Sequence, residues 1–194
     1  MLRLLRMTKN FFTESASVIE SLNEMDSLCV LVAKKINYVN DAGGSILIAG
    51  NGGSFSDALH FSGELSCTYS SPSRKPFRAI SLGANGAAMS AWANDFGYDT
   101  FFSRQVMALG RRGDVLILIS TSGGVENGYS SNLVKALSFA KSNSIFTIGF
   151  VGKTGGIIGK NSDLVLHVKS DSTALVQQAH IALIHRICEE LETA

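Results

Sequence analysis

Five short aliphatic runs, separated by segments of helical periodicity, constrain this chain more than any other feature. The runs are SILIA at 45–49, FRAISL at 77–82, DVLILI at 114–119, IFTIGFV at 145–151 and DLVLHV at 163–168. DVLILI is apolar at nearly every position, so both faces of that strand must be covered. Between the runs, residues 54–66 place Ala58, Leu59, Phe61 and Leu65 in helical rotation, and 85–93, 100–109, 130–142 and 173–191 also read as helices. Two more helices come first. Residues 2–24 repeat Leu5, Phe12, Val18, Ile19 and Leu22, and residues 26–40 repeat Leu28, Leu31, Val32 and Ile36, before Asp41 to Gly44 breaks the pattern. Alternation of this kind predicts an α/β fold, a parallel sheet with helices on both faces.

The length of 194 residues suits a single domain, here 1–194. Residues 43–194 form its α/β core, and the N-terminal helices of 1–42 pack on that core or on another subunit. The charge balance is 17 Lys+Arg against 16 Asp+Glu, so no global field attracts nucleic acid or a membrane surface. No apolar run approaches the ~18 residues of a membrane span. MLRLLRMTKNFF lacks the uninterrupted apolar stretch and cleavage site of a signal peptide. Cys29, Cys67 and Cys188 form no CxxC pair and no even framework, which points to a reducing, cytoplasmic setting.

In open parallel sheets, ligands sit beyond the carboxyl ends of the strands. Two loops there have the composition of phosphate sites. Gly50 to Ser54, GNGGS, follows the first run and opens a helix whose N-terminus offers unpaired N–H groups. Ser120 to Gly124, STSGG, follows DVLILI and sets three hydroxyls beside two glycines. Neither loop has the GK[ST] ending of a Walker motif or the GxGxxG of a dinucleotide fold, so no nucleotide cofactor is indicated. Each could also be a plain strand-to-helix turn, but two such loops in corresponding positions favour a ligand.

His60 and Glu64 stand four apart on the helix after GNGGS, one turn apart on one face. Gln177 and His185 lie about two turns apart on the last helix. Two imidazoles, a carboxylate and an amide oxygen can ligate zinc or a similar ion, or supply a general base and acid. The same spacings also serve an exposed ion pair and core histidines. His167 within DLVLHV, and His180 with no partner at ligand spacing, are read as core residues. Asn94-Asp95 in WANDFGYD reads as a helix end near another strand-to-helix connection.

With these residues in view, the chain resembles the phosphoheptose isomerases of the sugar isomerase (SIS) fold. The likeness is densest at AGNGGSFSDALHFSGEL, ANDFGYDTFFSRQV, GDVLILISTSG and QQAHIALIH. It implies a doubly wound five-stranded parallel sheet, a flavodoxin/Rossmann-type three-layer sandwich, with additional N-terminal helices. It also implies a homotetramer with active sites at subunit interfaces. Substrate contacts then fall to Asn51, Gly52, Gly53, Ser54, Glu64, Asn94, Asp95, Ser120, Thr121, Ser122, Ser130 and Gln177. The resemblance makes His60, Glu64, Gln177 and His185 the zinc ligands, and Glu64 and His185 the catalytic acid–base pair.

The implied reaction converts sedoheptulose 7-phosphate to D-glycero-D-manno-heptose 7-phosphate through an enediol(ate), in heptose supply for bacterial surface polysaccharide. A carboxylate that ligates a cation loses basicity. Glu64 therefore either moves between roles or the ion is structural. The chain departs from the family's usual pattern in three places. GVENGYSSN lengthens the turn after STSG and leaves Ser130 the candidate for a further phosphate contact, and Thr68 and the pair Ala174-Leu175 replace residues that include arginines. Those losses of positive charge bear on which sugar phosphate is bound. Related folds also serve sugar-phosphate-sensing regulators and a paralogue that binds a replication initiator. Retention of both Glu64 and His185 favours the enzyme.

Overall fold

The computed structural model describes the backbone of residues 2–193 and the side chains of residues 10–193. The predicted part played by Leu5 thus lies outside the described side chains. Two helices, α1 (Leu2–Ser21) and α2 (Asp26–Asp41), are joined by a single 3₁₀ turn at Leu22–Met25, so the first helix stops short of the predicted residue 24. Val18, Leu22 and Met25 rest against the core.

The alternating part follows as β1 (Ile46–Gly50), α3 (Gly53–Ser66), β2 (Ala79–Ser81), α4 (Gly86–Phe96), α5 (Phe101–Leu109), β3 (Val115–Ser120), α6 (Ser131–Ser142), β4 (Phe146–Val151), α7 (Gly156–Asn161), β5 (Leu164–His167) and α8 (Thr173–Thr193). All strand pairs are parallel, in the order β2-β1-β3-β4-β5. The predicted doubly wound five-stranded sheet is therefore the observed one.

Side-chain alternation divides the core into two layers. Ile46, Ile48, Ile117, Ile119, Ile148 and Phe150 pack under α2, α3 and α8. Leu47, Ala49, Leu116 and Leu118 face the other way, onto Phe102, Val106, Leu133 and Leu137. Asp114 ties the two central strands together at their start, because its carboxylate accepts the N–H groups of Ser45 (2.8 Å) and Arg111 (2.7 Å). No described helix is long and apolar enough to cross a membrane.

Two further predicted boundaries need correction. FRAISL was expected to be strand throughout, but only Ala79–Ser81 pairs. The Phe77 N–H instead donates to the Leu65 carbonyl (3.0 Å) and the Arg78 N–H to Asn40 Oδ1 (3.0 Å), which draws the chain toward α3 and α2. The helix predicted over 85–93 runs on to Phe96 and stops at Gly97, whose φ of +90° favours glycine. Asn94 and Asp95 therefore sit in its last turn.

His180 is fully buried on α8, edge-on to Phe150 at 5.9 Å. Burial holds its imidazole neutral and pushes the pKa down to about 4, against a smaller opposing pull from the Val151 backbone. A histidine with a depressed folded pKa contributes stability that is complete above its unfolded value and is lost as pH falls through the folded one. Wild-type protein should therefore lose about 3 kcal/mol more than His180→Leu between pH 7 and pH 4, at roughly 1.4 kcal/mol per unit. Urea unfolding at intervals across that range checks this. Parallel curves for the two proteins would remove His180 as the source.

Candidate active site

The strand order reverses direction between β1 and β3, and both glycine- and hydroxyl-rich loops leave the sheet at that point. Such a switch point leaves a crevice at the strand ends. Here it is a cavity of about 510 Å³, lined by Asn51, Gly52, Gly53, Ser54, Ser120, Thr121, Ser122, Ser130 and Gln177 among others. The structure thus gathers nine of the predicted substrate-binding residues in one place.

The first loop is shaped by close backbone packing. A Cβ on Gly50 would overlap the Ser54 carbonyl, so β1 passes directly beneath the first turn of α3. Ser54 N–H and Phe55 N–H are already used by Asn51 and Gly52 carbonyls, at 3.1 and 3.0 Å. Asn51 forms a reciprocal amide pair with Asn132 (2.9 and 3.0 Å), and Tyr98 Oη–H donates to Asn51 Oδ1 at 3.0 Å. Burial raises the Tyr98 pKa, which keeps the phenol a donor.

In the second loop, the Ser120 hydroxyl accepts the Gly123 N–H at 3.1 Å and lies 3.4 Å from Ser130 Oγ. Ser130 has a φ of +57°, so the longer turn before it bends back and returns this serine to the cavity.

The second cluster lies further along the same pair of helices. His60 Nε2 and Glu64 Oε1 are 2.7 Å apart, and the His60 and His185 rings meet edge-on at 5.3 Å. Ligating atoms of His60, Glu64 and His185 all lie within 4.8 Å of one another. Glu64 Oε2 is buried without a hydrogen-bond partner. Two imidazoles and a carboxylate with one unused oxygen fit a divalent cation of the zinc type.

Gln177, the fourth predicted ligand, is placed differently. Its amide lies against Gly53, where a Cβ would overlap it. It stands two turns, roughly 12 Å, from His185 along α8. It lines the phosphate-loop cavity. Asn94 and Asp95 are exposed, bonded to each other at 2.7 Å, and do not line the cavity.

Several participants escaped the sequence reading. Arg74 caps α3, donating from Nη2 to the Glu64 carbonyl (2.5 Å) and from Nη1 to the Leu65 carbonyl (3.2 Å). That places a cation at the negative end of the helix and holds the turn that carries Glu64. Asp57 sits one turn before His60, with Oδ2 buried and unpartnered, and burial lifts its pKa to about 6 against the opposing charge of His60. Its spacing of three from His60 was the available signal. For Asn132 and Tyr98, far away in sequence, there was none. Leu175, at one of the departures from the resembled pattern, is buried, and Thr68 is exposed.

Comparison with known proteins gives the family and the fold. The SIS domain family model matches residues 10–152. A phosphoheptose isomerase of Helicobacter pylori (strain P12) is 44% identical over 176 residues, covering 90% of this chain and 86% of that protein. The structure of a phosphoheptose isomerase from Neisseria gonorrhoeae superposes with a TM-score of 0.87 at 33% identity, covering 98% of this chain and 100% of the other. One from Francisella tularensis gives 0.89 at 28% identity and 98% coverage of both.

Proposed function

The chain belongs to the SIS-domain family, among its phosphoheptose isomerases, and on that premise we propose that it interconverts sedoheptulose 7-phosphate and D-glycero-D-manno-heptose 7-phosphate. The observation that carries the reading is one seam, α3 against α8, with a phosphate-shaped cavity at one end and His60, Glu64 and His185 further along it.

The reaction moves a proton between adjacent carbons, so it needs a base at carbon and a proton donor and acceptor at oxygen. Glu64 takes the carbon-bound proton, giving an enediol(ate), and returns it at the neighbouring carbon. His185 carries protons to and from the substrate oxygens. The hydroxyls of Ser54, Ser120, Thr121 and Ser122 and the N–H groups of Gly52 and Gly53 hold the phosphate, so binding at the far end orients the reacting carbons. Asn51, Asn94, Asp95, Ser130 and Gln177 complete the sugar contacts. His60, Glu64 and His185 hold zinc, with Gln177 as the fourth ligand. When bound, the ion supplies positive charge that polarises substrate oxygens.

A homotetramer with shared active sites follows from the same reading. Ten residues of α3, about 15 Å of helix, separate Ser54 from Glu64. In this reading a second copy lies along that span and completes each site. The position of Asn94 and Asp95 outside their own chain's cavity supports this, as does the exposed Phe96 beside them. The three unpaired cysteines support a cytoplasmic setting, and heptose supply for surface polysaccharide is the corresponding pathway.

Incubation of purified protein with sedoheptulose 7-phosphate tests the proposal. Formation of the aldose 7-phosphate is expected, falling at least tenfold after chelation and returning with zinc. No product from folded, zinc-supplemented protein would reject it. The apolar Leu175 and uncharged Thr68 favour one second reading, an isomerase of a different sugar phosphate. A panel of pentose, hexose and heptose phosphates separates the two.

A further inference from the structure

We propose that Lys153 is a further phosphate-binding residue of this site, its ammonium meeting the substrate's terminal phosphate from the loop after β4. The inference rests on the isomerase reading only for the identity of the substrate. Its physical basis is the cavity itself.

A sugar phosphate brings close to two negative charges, yet the donors of the two predicted loops are neutral hydroxyls and backbone N–H groups. Among the residues lining the cavity, Lys153 alone is charged. Arg74 cannot fill this role, because its guanidinium is already used by the carbonyls of Glu64, Leu65 and Lys75. No carboxylate among the described residues lies within ion-pair distance of Lys153, in contrast to Lys75, Lys135, Lys141 and Lys169.

The backbone at Lys153 is held in a conformation unusual for a side-chain-bearing residue, with φ of +49°. Such positions persist where the surroundings over-determine them, and they concentrate at ligand sites. Here the Lys153 N–H donates to the Ser170 carbonyl (2.9 Å), and His167 Nε2 hydrogen-bonds the Lys153 carbonyl (2.8 Å). His167 thereby acquires a positioning part that its place in an apolar strand did not suggest.

The loop is also locked to the second phosphate loop. The Ile158 N–H donates to the Gly123 carbonyl (2.9 Å) and the Ile157 N–H to the Gly124 carbonyl (3.1 Å). The backbones that carry the cation and the hydroxyls are therefore joined directly. A single charge carried this way offsets the missing arginines noted in the sequence.

The test compares wild type with Lys153→Ala, Lys153→Arg and Lys153→Gly, the last of which suits the positive φ. Binding of inorganic phosphate and of sedoheptulose 7-phosphate is measured by calorimetry, alongside kcat and KM at two salt concentrations. Loss of the side chain should weaken phosphate binding and lower kcat/KM about tenfold or more. It should flatten the salt dependence of KM, and arginine should restore most of the affinity. Phosphate affinity within twofold of wild type in both the Ala and Gly variants would overturn the proposal, as would no phosphate binding by wild type. Lysine-dependent phosphate binding without sugar turnover would uphold this inference while rejecting the isomerase. Turnover with lysine-independent phosphate binding would do the reverse.

Discussion

Glu64→Gln is expected to lower turnover of sedoheptulose 7-phosphate by about 10²–10⁴-fold, the usual contribution of a placed general base, while leaving substrate affinity within a few-fold. The substitution keeps the side chain's shape. The carbonyl oxygen of glutamine can still accept from His60 Nε2, which lies 2.7 Å from Glu64 Oε1. Arg74 grips the backbone carbonyl at position 64, so the turn itself is unaffected. What is lost is the capacity to hold a proton and the negative charge offered to the zinc ion, so metal content is measured alongside. Wash-in of deuterium from solvent into the substrate carbon reads that step directly and should fail together with turnover. Exchange near the wild-type rate would remove Glu64 as the base, whatever happened to overall turnover.

Gly123→Ala is the second large effect. Gly123 has φ of +72°, and a Cβ there would overlap the carbonyl of Gly155. The left-handed conformation costs an alanine about 1–2 kcal/mol, and forcing a methyl into packed backbone adds about 1–3 kcal/mol. A destabilisation of about 2–5 kcal/mol follows, read from urea unfolding. Relief of the overlap must separate the loop after β3 from the loop after β4, and both border the cavity. A misplacement of about 1 Å can cost on the order of 10²-fold in rate. kcat/KM should fall by that order in whatever protein remains folded. Wild-type stability and kcat/KM together would show that the two loops need not touch.

Much of the fold was legible because it rests on local pattern. β3 reads VLILIS and is buried at every position, as its uninterrupted apolar run requires. The start of α3, expected at 54 and found at Gly53, followed from glycine-rich residues preceding a helical rotation. The strand reading of FRAISL was over-long because Phe77 and Arg78 bond to α3 and α2. Those are tertiary contacts with no trace in the hexapeptide. The end of α4 was misjudged by three residues because a left-handed glycine, Gly97, and not the polar pair Asn94-Asp95, stops the helix.

The site divides along the same line. By itself the sequence determined the chemistry available: two hydroxyl- and glycine-rich loops, and an imidazole one turn from a carboxylate. These depend on neighbours along the chain, where spacing dictates geometry. Only the tertiary structure decided how they combine. The strand order set both loops at one switch point. The parallel seam of α3 and α8 joined His185 to His60 and Glu64, yet left Gln177 beside Gly53. Hydrogen bonds to Ser170 and His167 hold Lys153 at the edge of the cavity. Each of these joins groups far apart in sequence, and only packing, through the long-range burial of apolar faces, specifies such a meeting.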